Sequence, residues 1–303
     1  MRTLKLIIAL YLVTLCAVPA FANPLRVVTS TTDLAWLTAQ IGGDEVDVTS
    51  LLSGEEDPHY VDAVPRFIHR VANADMVCVV GMDLEIGWMP KVLSKSANAQ
   101  VQPGGKGYCE TGKGVEALDV ITDNVNRSMG DVHPDGNPHF QLSPSHMTQA
   151  GNVVMDTLIE LRPESAETFL LNFEKFSQRM SQLQHAIETK LAPLKATKIM
   201  EYHKEFSYFV DIYGLVSVGA LEAVPGVPPS AGRLAKVSIN AKKENVKLLI
   251  AANHNPKKLL RRFTSLSKIP VVTVFTSIQN NNEVNDYEKL QHHVADRLLE
   301  VLN

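Results

Sequence analysis

Three histidines occur in related contexts that could bring imidazole nitrogens to one metal ion. His59 and His139 each follow a proline and precede an aromatic residue, and His203 follows a strand-like segment. Imidazole is the commonest metal ligand among side chains. Because the three are widely spaced in sequence, they indicate one divalent-metal site assembled by the fold rather than a local finger.

The elements around these histidines predict how they meet. In open α/β sheets, ligands bind beyond the carboxyl ends of the strands, often between domains. His59 lies between a predicted strand and the next helix, and His203 directly follows a strand in the other half of the chain. His139 precedes the helices that lead to a long central helix. The prolines stiffen the backbone beside His59 and His139, which lowers the ordering cost of assembling a site.

Short apolar runs alternate with helix-like stretches in both halves of the chain, which is typical of parallel α/β layers. The predicted strands are 25–30, 46–52, 76–80, 198–202, 215–220, 247–252 and 269–275. The predicted helices are 33–41, capped by Thr31 or Thr32, and 64–73, 204–213, 230–245, 256–267 and 286–302.

A sustained apolar stripe predicts one long amphipathic helix from 163 to 194. Its two interpretations are a coiled-coil partner and a strut packed along two lobes. Because βα alternation resumes directly after it, we expect the strut. The predicted fold class is α/β, with two parallel-sheet lobes joined by one long rigid backbone helix. The predicted divisions are a signal peptide (1–22), an N-terminal lobe (23–162), the linking helix (163–194) and a C-terminal lobe (195–303).

The first 22 residues resemble a cleavable export signal. A basic start precedes a short apolar run and the small-x-small site Ala20-Phe21-Ala22, so the mature chain is expected to begin at Asn23 in the periplasm. The apolar run is too short to span a membrane. Lipidation at Cys16 is not expected, because the preceding Leu15 is bulkier than such signals prefer.

The 303 residues are 45% hydrophobic and 20% charged, with a formal net charge of −4, which is ordinary for a soluble globular protein. This charge gives no electrostatic footprint for nucleic acid. Outside the leader, only Cys78 and Cys109 remain. We expect one thiol buried in a strand and one in a glycine-rich loop; a disulfide is the alternative.

Four motifs together resemble the metal-specific substrate-binding receptors of bacterial ABC importers, the TroA-like group with two lobes and a helical backbone. They are Asp57-Pro58-His59, then 136–144 around His139 with Ser143 where Asp is usual, then 202–209 around His203, and Glu222 with the segment 225–230. The similarity extends over the whole mature chain. It implies a periplasmic, monomeric, non-enzymatic receptor with His59, His139 and His203 as metal ligands. It also implies a permease and its ATPase as partners.

The chain departs from the pattern at the fourth ligand. Many members of the family supply a carboxylate from the loop that here reads 274–279 and contains none. Water is ranked first as a substitute, followed by His254, with Asn253 and Glu205 as further candidates. Near the second motif, Asp131, His133 and Asp135 could help to acquire metal, although a plain turn is favoured there.

Three neutral imidazoles suit Zn²⁺, whereas manganese prefers more oxygen ligands. We therefore expect Zn²⁺ as the transported ion. The alternatives are a receptor for Mn²⁺ or another metal, a metal chaperone or adhesin on the same scaffold, and an exported zinc hydrolase. The hydrolase is disfavoured because the chain has no His-Glu-x-x-His pair and no evident general base.

Overall fold

A computed structural model describes residues 23–122, 130, 132–280 and 283–302. The proposed signal peptide and Cys16 lie outside the described residues, as does Asp131. Cleavage after Ala22 without lipidation therefore stays a prediction.

The first lobe contains a four-stranded parallel sheet. Its strands are β1 (Leu25–Thr29), β2 (Val46–Ser50), β3 (Met76–Val79) and β4 (Tyr108–Glu110), in the order β2-β1-β3-β4. Its helices are α1 (Thr32–Gly42), α2 (Pro65–Ala72) and α3 (Met89–Ser96). The Thr31 hydroxyl accepts a hydrogen bond from the Leu34 amide, so Thr31 caps α1 as predicted.

The second lobe repeats this strand order. Its strands are β5 (Lys198–Glu201), β6 (Val216–Ala220), β7 (Leu248–Ala252) and β8 (Val271–Val274), all parallel in the order β6-β5-β7-β8. Its helices are α6 (Ser207–Tyr213), α7 (Ala231–Lys243), α8 (Lys257–Ser267) and α9 (Tyr287–Leu302). Among the described residues, no helix combines the length and the apolar character needed to cross a membrane.

Two long helices follow the first sheet along the chain, α4 (Pro144–Leu161) and α5 (Ala166–Leu191), and α5 leads into the second lobe. The 26-residue α5 is about 39 Å long at 1.5 Å per residue. Short 3-10 turns at Pro163–Ser165 and Ala192–Leu194 flank it, so the helix predicted over 163–194 is regular α-helix only in its middle. The predicted fold class is confirmed.

One continuous apolar core runs through both lobes. The buried stripe of α5 packs against α1 and α4 of the first lobe and against α6 and α9 of the second. The same cluster includes Val27 of the first sheet and Val272 of the second. Since the lobes share a core, a large hinge motion would expose buried apolar surface at about 25 cal/mol per Å².

The expectation for Cys109 is wrong. It lies in β4 rather than in a loop, is fully buried, and is in register with Cys78 of β3; both are free thiols. The nearby glycines allow close backbone packing. A Cβ at Gly107 would lie 2.3 Å from the Asp75 carbonyl oxygen, so the glycine marks the approach to a strand rather than a flexible loop.

The loop after β8 contacts the first lobe directly, both at the loop after β2 and at the start of α1. The Asn280 amide donates to the Ser53 carbonyl oxygen at 3.1 Å. The Thr32 hydroxyl donates to the Ile278 carbonyl oxygen at 2.7 Å, and the Ile278 amide donates to the Asp33 carboxylate at 3.0 Å. Burial raises the pKa of Asp33 to about 6. The loop that lacks the carboxylate expected from the family is therefore part of a contact between the lobes.

Gly54 makes this contact possible. Its φ is +92°, and a Cβ there would lie 1.9 Å from the Ile278 carbonyl oxygen. Gly104 has a similar φ of +87° but has nothing within 4 Å of its hypothetical Cβ. Both positions therefore require a left-handed backbone, but Gly54 is buried and a side chain there would clash, whereas Gly104 is exposed and has free space.

We expect Gly54→Ala to destabilise the protein by about 2 kcal/mol more than Gly104→Ala. Both substitutions carry the cost of a left-handed backbone, and only Gly54→Ala adds overpacking of about 1–3 kcal/mol. Urea unfolding of the two variants and the parent measures the difference. Equal losses would mean that the approach of the loops is unimportant for stability.

Candidate metal centre

His59 lies in the loop after β2, where its own neighbour orients the ring. The Asp57 carboxylate accepts from the His59 amide at 3.0 Å and lies 2.7 Å from His59 Nδ1. The Trp88 indole N–H anchors the loop by donating to the Pro58 carbonyl oxygen at 2.9 Å. Although burial acts in the opposite direction, the contacts with His59 lower the pKa of Asp57 to about 2. The carboxylate therefore holds Nδ1 as the donor and leaves Nε2 facing inward.

His139 is the most deeply buried of the three predicted histidines, with 3% of its surface exposed. The Asn137 side chain accepts from the His139 amide at 3.0 Å and donates to the Lys204 carbonyl oxygen at 2.8 Å, so it ties this loop to the second lobe. The Nε2 atom of His139 is buried and has no hydrogen-bond partner. Burial, together with the neighbouring imidazoles of His59 and His203, holds the pKa of His139 well below its usual value.

His203 follows β5 and is oriented from the second lobe. Its Nδ1 lies 2.8 Å from the Glu222 carboxylate, which also accepts from the Gly226 amide at 2.9 Å. Burial alone would lower the pKa of His203, but the hydrogen bond to Glu222 and the charges of Glu205 and Glu222 raise it overall.

The fold brings the three predicted histidines together. Each can offer a ring nitrogen such that the three atoms lie within 4.8 Å of one another. The ring centroid of His59 is 5.2 Å from that of His139 and 5.4 Å from that of His203, and the centroids of His139 and His203 are 5.7 Å apart. One ion can be reached by such a set, because zinc–nitrogen bonds are about 2.0–2.1 Å long. Across the described part of the chain, no further His, Cys, Asp or Glu offers a ligand atom within 4.8 Å of all three of these.

The residues predicted as candidates for the fourth ligand are not part of the group of three histidines. His254 Nε2 lies 3.5 Å from the Glu205 carboxylate and 3.8 Å from that of Asp57. Burial lowers and Glu205 raises the pKa of His254, with a net rise. The Oδ1 atom of Asn253 is buried without a hydrogen-bond partner. His254 and Glu205 thus satisfy each other beside the three histidines.

His133 lies in the site, whereas the sequence favours a plain turn for its segment. Its Nε2 lies 3.2 Å from Nε2 of His59, and its Nδ1 lies 2.8 Å from the Met82 carbonyl oxygen. Its ring centroid is 6.3 Å from that of His139. Burial and the neighbouring His59 lower the pKa of His133 to about 3. In the sequence, the indication that His133 could reach the site is its position six residues before His139. The other candidate of this segment, Asp135, is exposed.

The family profile described as "ZnuA: Zinc-uptake complex component A periplasmic" matches residues 27–301. The chain belongs to this family. The resemblance to the metal-specific receptors of ABC importers is therefore confirmed at the family level.

Individual relatives are distant. The chain is 27% identical over 237 residues to the high-affinity zinc uptake system protein ZnuA of Yersinia pestis, covering 71% of this chain and 73% of the relative. It is 23% identical to the manganese ABC transporter substrate-binding lipoprotein PsaA of Streptococcus pneumoniae, covering 93% of this chain and 90% of the relative. Against the zinc-binding lipoprotein AdcA of S. pneumoniae it is 26% identical, but it spans only 49% of that protein's length.

Among solved structures, the periplasmic zinc-binding protein TroA of Treponema pallidum superposes with a TM-score of 0.77 at 17% identity, over 92% of this chain and 99% of that one. At this identity the similarity establishes the fold alone. ZnuA-family membership and the two-lobed fold thus agree.

The pKa of His203 is raised, whereas those of His139 and His133 are lowered. These shifts can be tested on metal-free protein. At pH 6.5, near the usual imidazole value, we expect His203 to be mainly protonated and His139 and His133 to be neutral. Replacing Glu222 by Gln should lower the pKa of His203, because its hydrogen bond and charge favour the protonated ring. Glu244→Gln, which removes an exposed carboxylate paired with Lys198, is the control.

The measurement is an NMR titration of the imidazole nitrogens. Protonation of His139 before His203 as the pH falls would contradict the assigned electrostatics.

Proposed function

We propose that this protein captures Zn²⁺ in the periplasm between its two lobes and delivers it to the permease of an ABC importer, whose ATPase drives uptake. His59, His139 and His203 hold the ion. The receptor acts as a monomer. The observation that carries the proposal is the convergence of these imidazoles from both lobes, with carboxylates on the outward nitrogens of His59 and His203.

The outer carboxylates support the assignment of ligands. A metal-binding imidazole usually donates its other N–H to a carboxylate or carbonyl, which fixes the tautomer and raises ligand basicity. Asp57 and Glu222 occupy these positions for His59 and His203. Their oxygens are engaged by imidazoles and backbone amides rather than directed at the shared centre.

The donor set supports zinc over manganese. Mn²⁺ favours carboxylate, carbonyl and water oxygens, whereas imidazole suits Zn²⁺. Both metals occur in the names of relatives, so a manganese receptor is the second candidate. The carboxylates nearest the three rings are those already hydrogen-bonded to them, and the loop after β8 supplies none.

The site favours a receptor over a catalyst. The cavity lined by Asp57, His59, His203 and Glu205 has a volume of about 170 Å³. Small-molecule sites are typically about 300–1,000 Å³. This space suits a bare ion better than a hydrolysable substrate, and the relatives named above are uptake components and metal-binding lipoproteins.

Removing any one of the three histidines should weaken Zn²⁺ binding strongly. We expect His59→Ala, His139→Ala and His203→Ala each to lose at least about 100-fold in affinity for Zn²⁺. Loss of a residue that only hydrogen-bonds to a metal ligand already costs up to about 100-fold, and loss of the ligand itself should cost more. His185→Ala, at a ring with 84% of its side chain exposed, is the matched control. Competition titrations of metal-stripped protein with Zn²⁺ and Mn²⁺ give the affinities.

Two outcomes would contradict the proposal. Binding of Zn²⁺ by all three variants as by the parent would exclude this ligand set. Tighter binding of Mn²⁺ than of Zn²⁺ by the parent would favour the second candidate.

Metal binding should change the shape of the protein little. Because both lobes share one core and are joined through Ile278 and Asn280, we expect the radius of gyration to change by less than about 1 Å, unlike hinge-closing receptors. Small-angle X-ray scattering with and without Zn²⁺ measures it. A contraction of several ångströms would show that the lobes close as rigid bodies.

A further inference from the structure

When both rings are neutral, the Nε2 atoms of His59 and His133 face each other with no hydrogen between them. The Met82 carbonyl oxygen only accepts, so Nδ1 of His133 must be the donor at 2.8 Å. The Asp57 carboxylate likewise takes the proton of His59 Nδ1 at 2.7 Å. In the neutral rings both Nε2 atoms therefore carry lone pairs, and they lie 3.2 Å apart. Such a contact between two neutral rings is repulsive unless a cation, either a proton or a metal ion, lies between or beside the two nitrogens.

The separation matches that of two ligands on one ion. In a tetrahedral zinc site with bonds of about 2.0–2.1 Å, neighbouring nitrogens are about 3.3 Å apart. The observed 3.2 Å between His59 and His133 is close to this value. His139 contributes a buried Nε2 without a hydrogen-bond partner, on a ring whose centroid is 5.2 Å from that of His59.

The segment that carries His133 is held in position by both lobes. The Ile121 amide donates to the Pro134 carbonyl oxygen at 3.1 Å, and the Gly136 amide donates to that of His133 itself at 3.1 Å. Gly130, with a φ of +81°, lies so close to the second lobe that a Cβ would be 2.3 Å from the Pro225 carbonyl oxygen. These contacts, with the bond to Met82, aim the His133 ring at the site.

We propose that His133 is the fourth metal ligand, so that four imidazoles surround the ion. This inference rests on the proposed function, because it concerns the same ion and site. It replaces water, His254, Asn253 and Glu205 as the fourth donor. His254 and Glu205 instead form the adjoining ion pair that satisfies His254 Nε2.

The shell can be counted by zinc-edge X-ray absorption on the full mature protein loaded with one equivalent of Zn²⁺. We expect four imidazoles in the parent and in His254→Ala, and three imidazoles plus one oxygen in His133→Ala. His133→Ala should lose at least about tenfold in Zn²⁺ affinity, the loss typical of removing even an outer-shell partner. His133→Asp, which offers an oxygen ligand, should regain part of this loss.

The matched pair of variants separates the possible results. Four imidazoles in His133→Ala, or a loss of one imidazole in His254→Ala instead, would overturn the assignment of His133. Three imidazoles in the parent would overturn it too. These results leave the proposed function intact as long as His139→Ala abolishes binding. Unchanged zinc binding by His59→Ala, His139→Ala and His203→Ala would contradict the proposed function itself.

The unfolding midpoint of metal-free His133→Ala checks the fold. A value equal to that of the parent assigns the loss of affinity to the missing ligand. His133→Gln, which keeps a polar side chain of similar length, should also show three imidazoles, and four in that variant would count against the proposal.

Discussion

The site depends on one constraint: several buried imidazoles must present the same nitrogen to a common point, and each must be neutral when it binds an ion. A neutral ring can do this only if its other nitrogen donates to a fixed acceptor. Asp57 and Glu222 are acceptors of this kind, and each also accepts a backbone amide of its own loop. The tautomer of the ring and the course of the loop are therefore set by the same carboxylate.

This constraint explains why the lobes are joined so firmly. Unpaired nitrogens facing one another in a buried site are costly, and they stay in place only if the surrounding structure leaves them no way to relax. Asn137 bridges the loop of His139 to the second lobe, and the shared core and the contact at Ile278 fix the distance between the sheets. A site preorganised in this way loses little entropy when the ion enters. The same rigidity keeps the lobes from acting as independent hinged bodies.

The sequence was sufficient for most features that depend on periodicity or on strand ends, although it did not predict the short helix α3. Apolar alternation predicted the two parallel sheets, and the position after β2 and β5 predicted that His59 and His203 would meet. The sequence did not predict the features that depend on irregular contacts between distant backbone segments. Gly105 and Gly107, which pack tightly against the backbone of Gln100 and Asp75, made β4 resemble a loop and hid the burial of Cys109. His133 is oriented by the carbonyl of Met82, a residue with a φ of +50°, and no spacing rule connects the two positions.

The loop after β8 shows how the charge of the site is distributed. Where the family resemblance implies a carboxylate ligand, this chain uses backbone groups of Ile278 to join the lobes. In the proposed site, the charge that would balance the ion comes instead from Asp57, Glu205 and Glu222, which contact His59, His254 and His203 respectively. Coulomb attraction falls with distance, so these carboxylates hold the ion less strongly than a direct oxygen ligand, while the inner shell remains nitrogen. A nitrogen shell disfavours Mn²⁺, so in the proposed site the outward position of the carboxylates would exchange some electrostatic attraction for selectivity toward zinc.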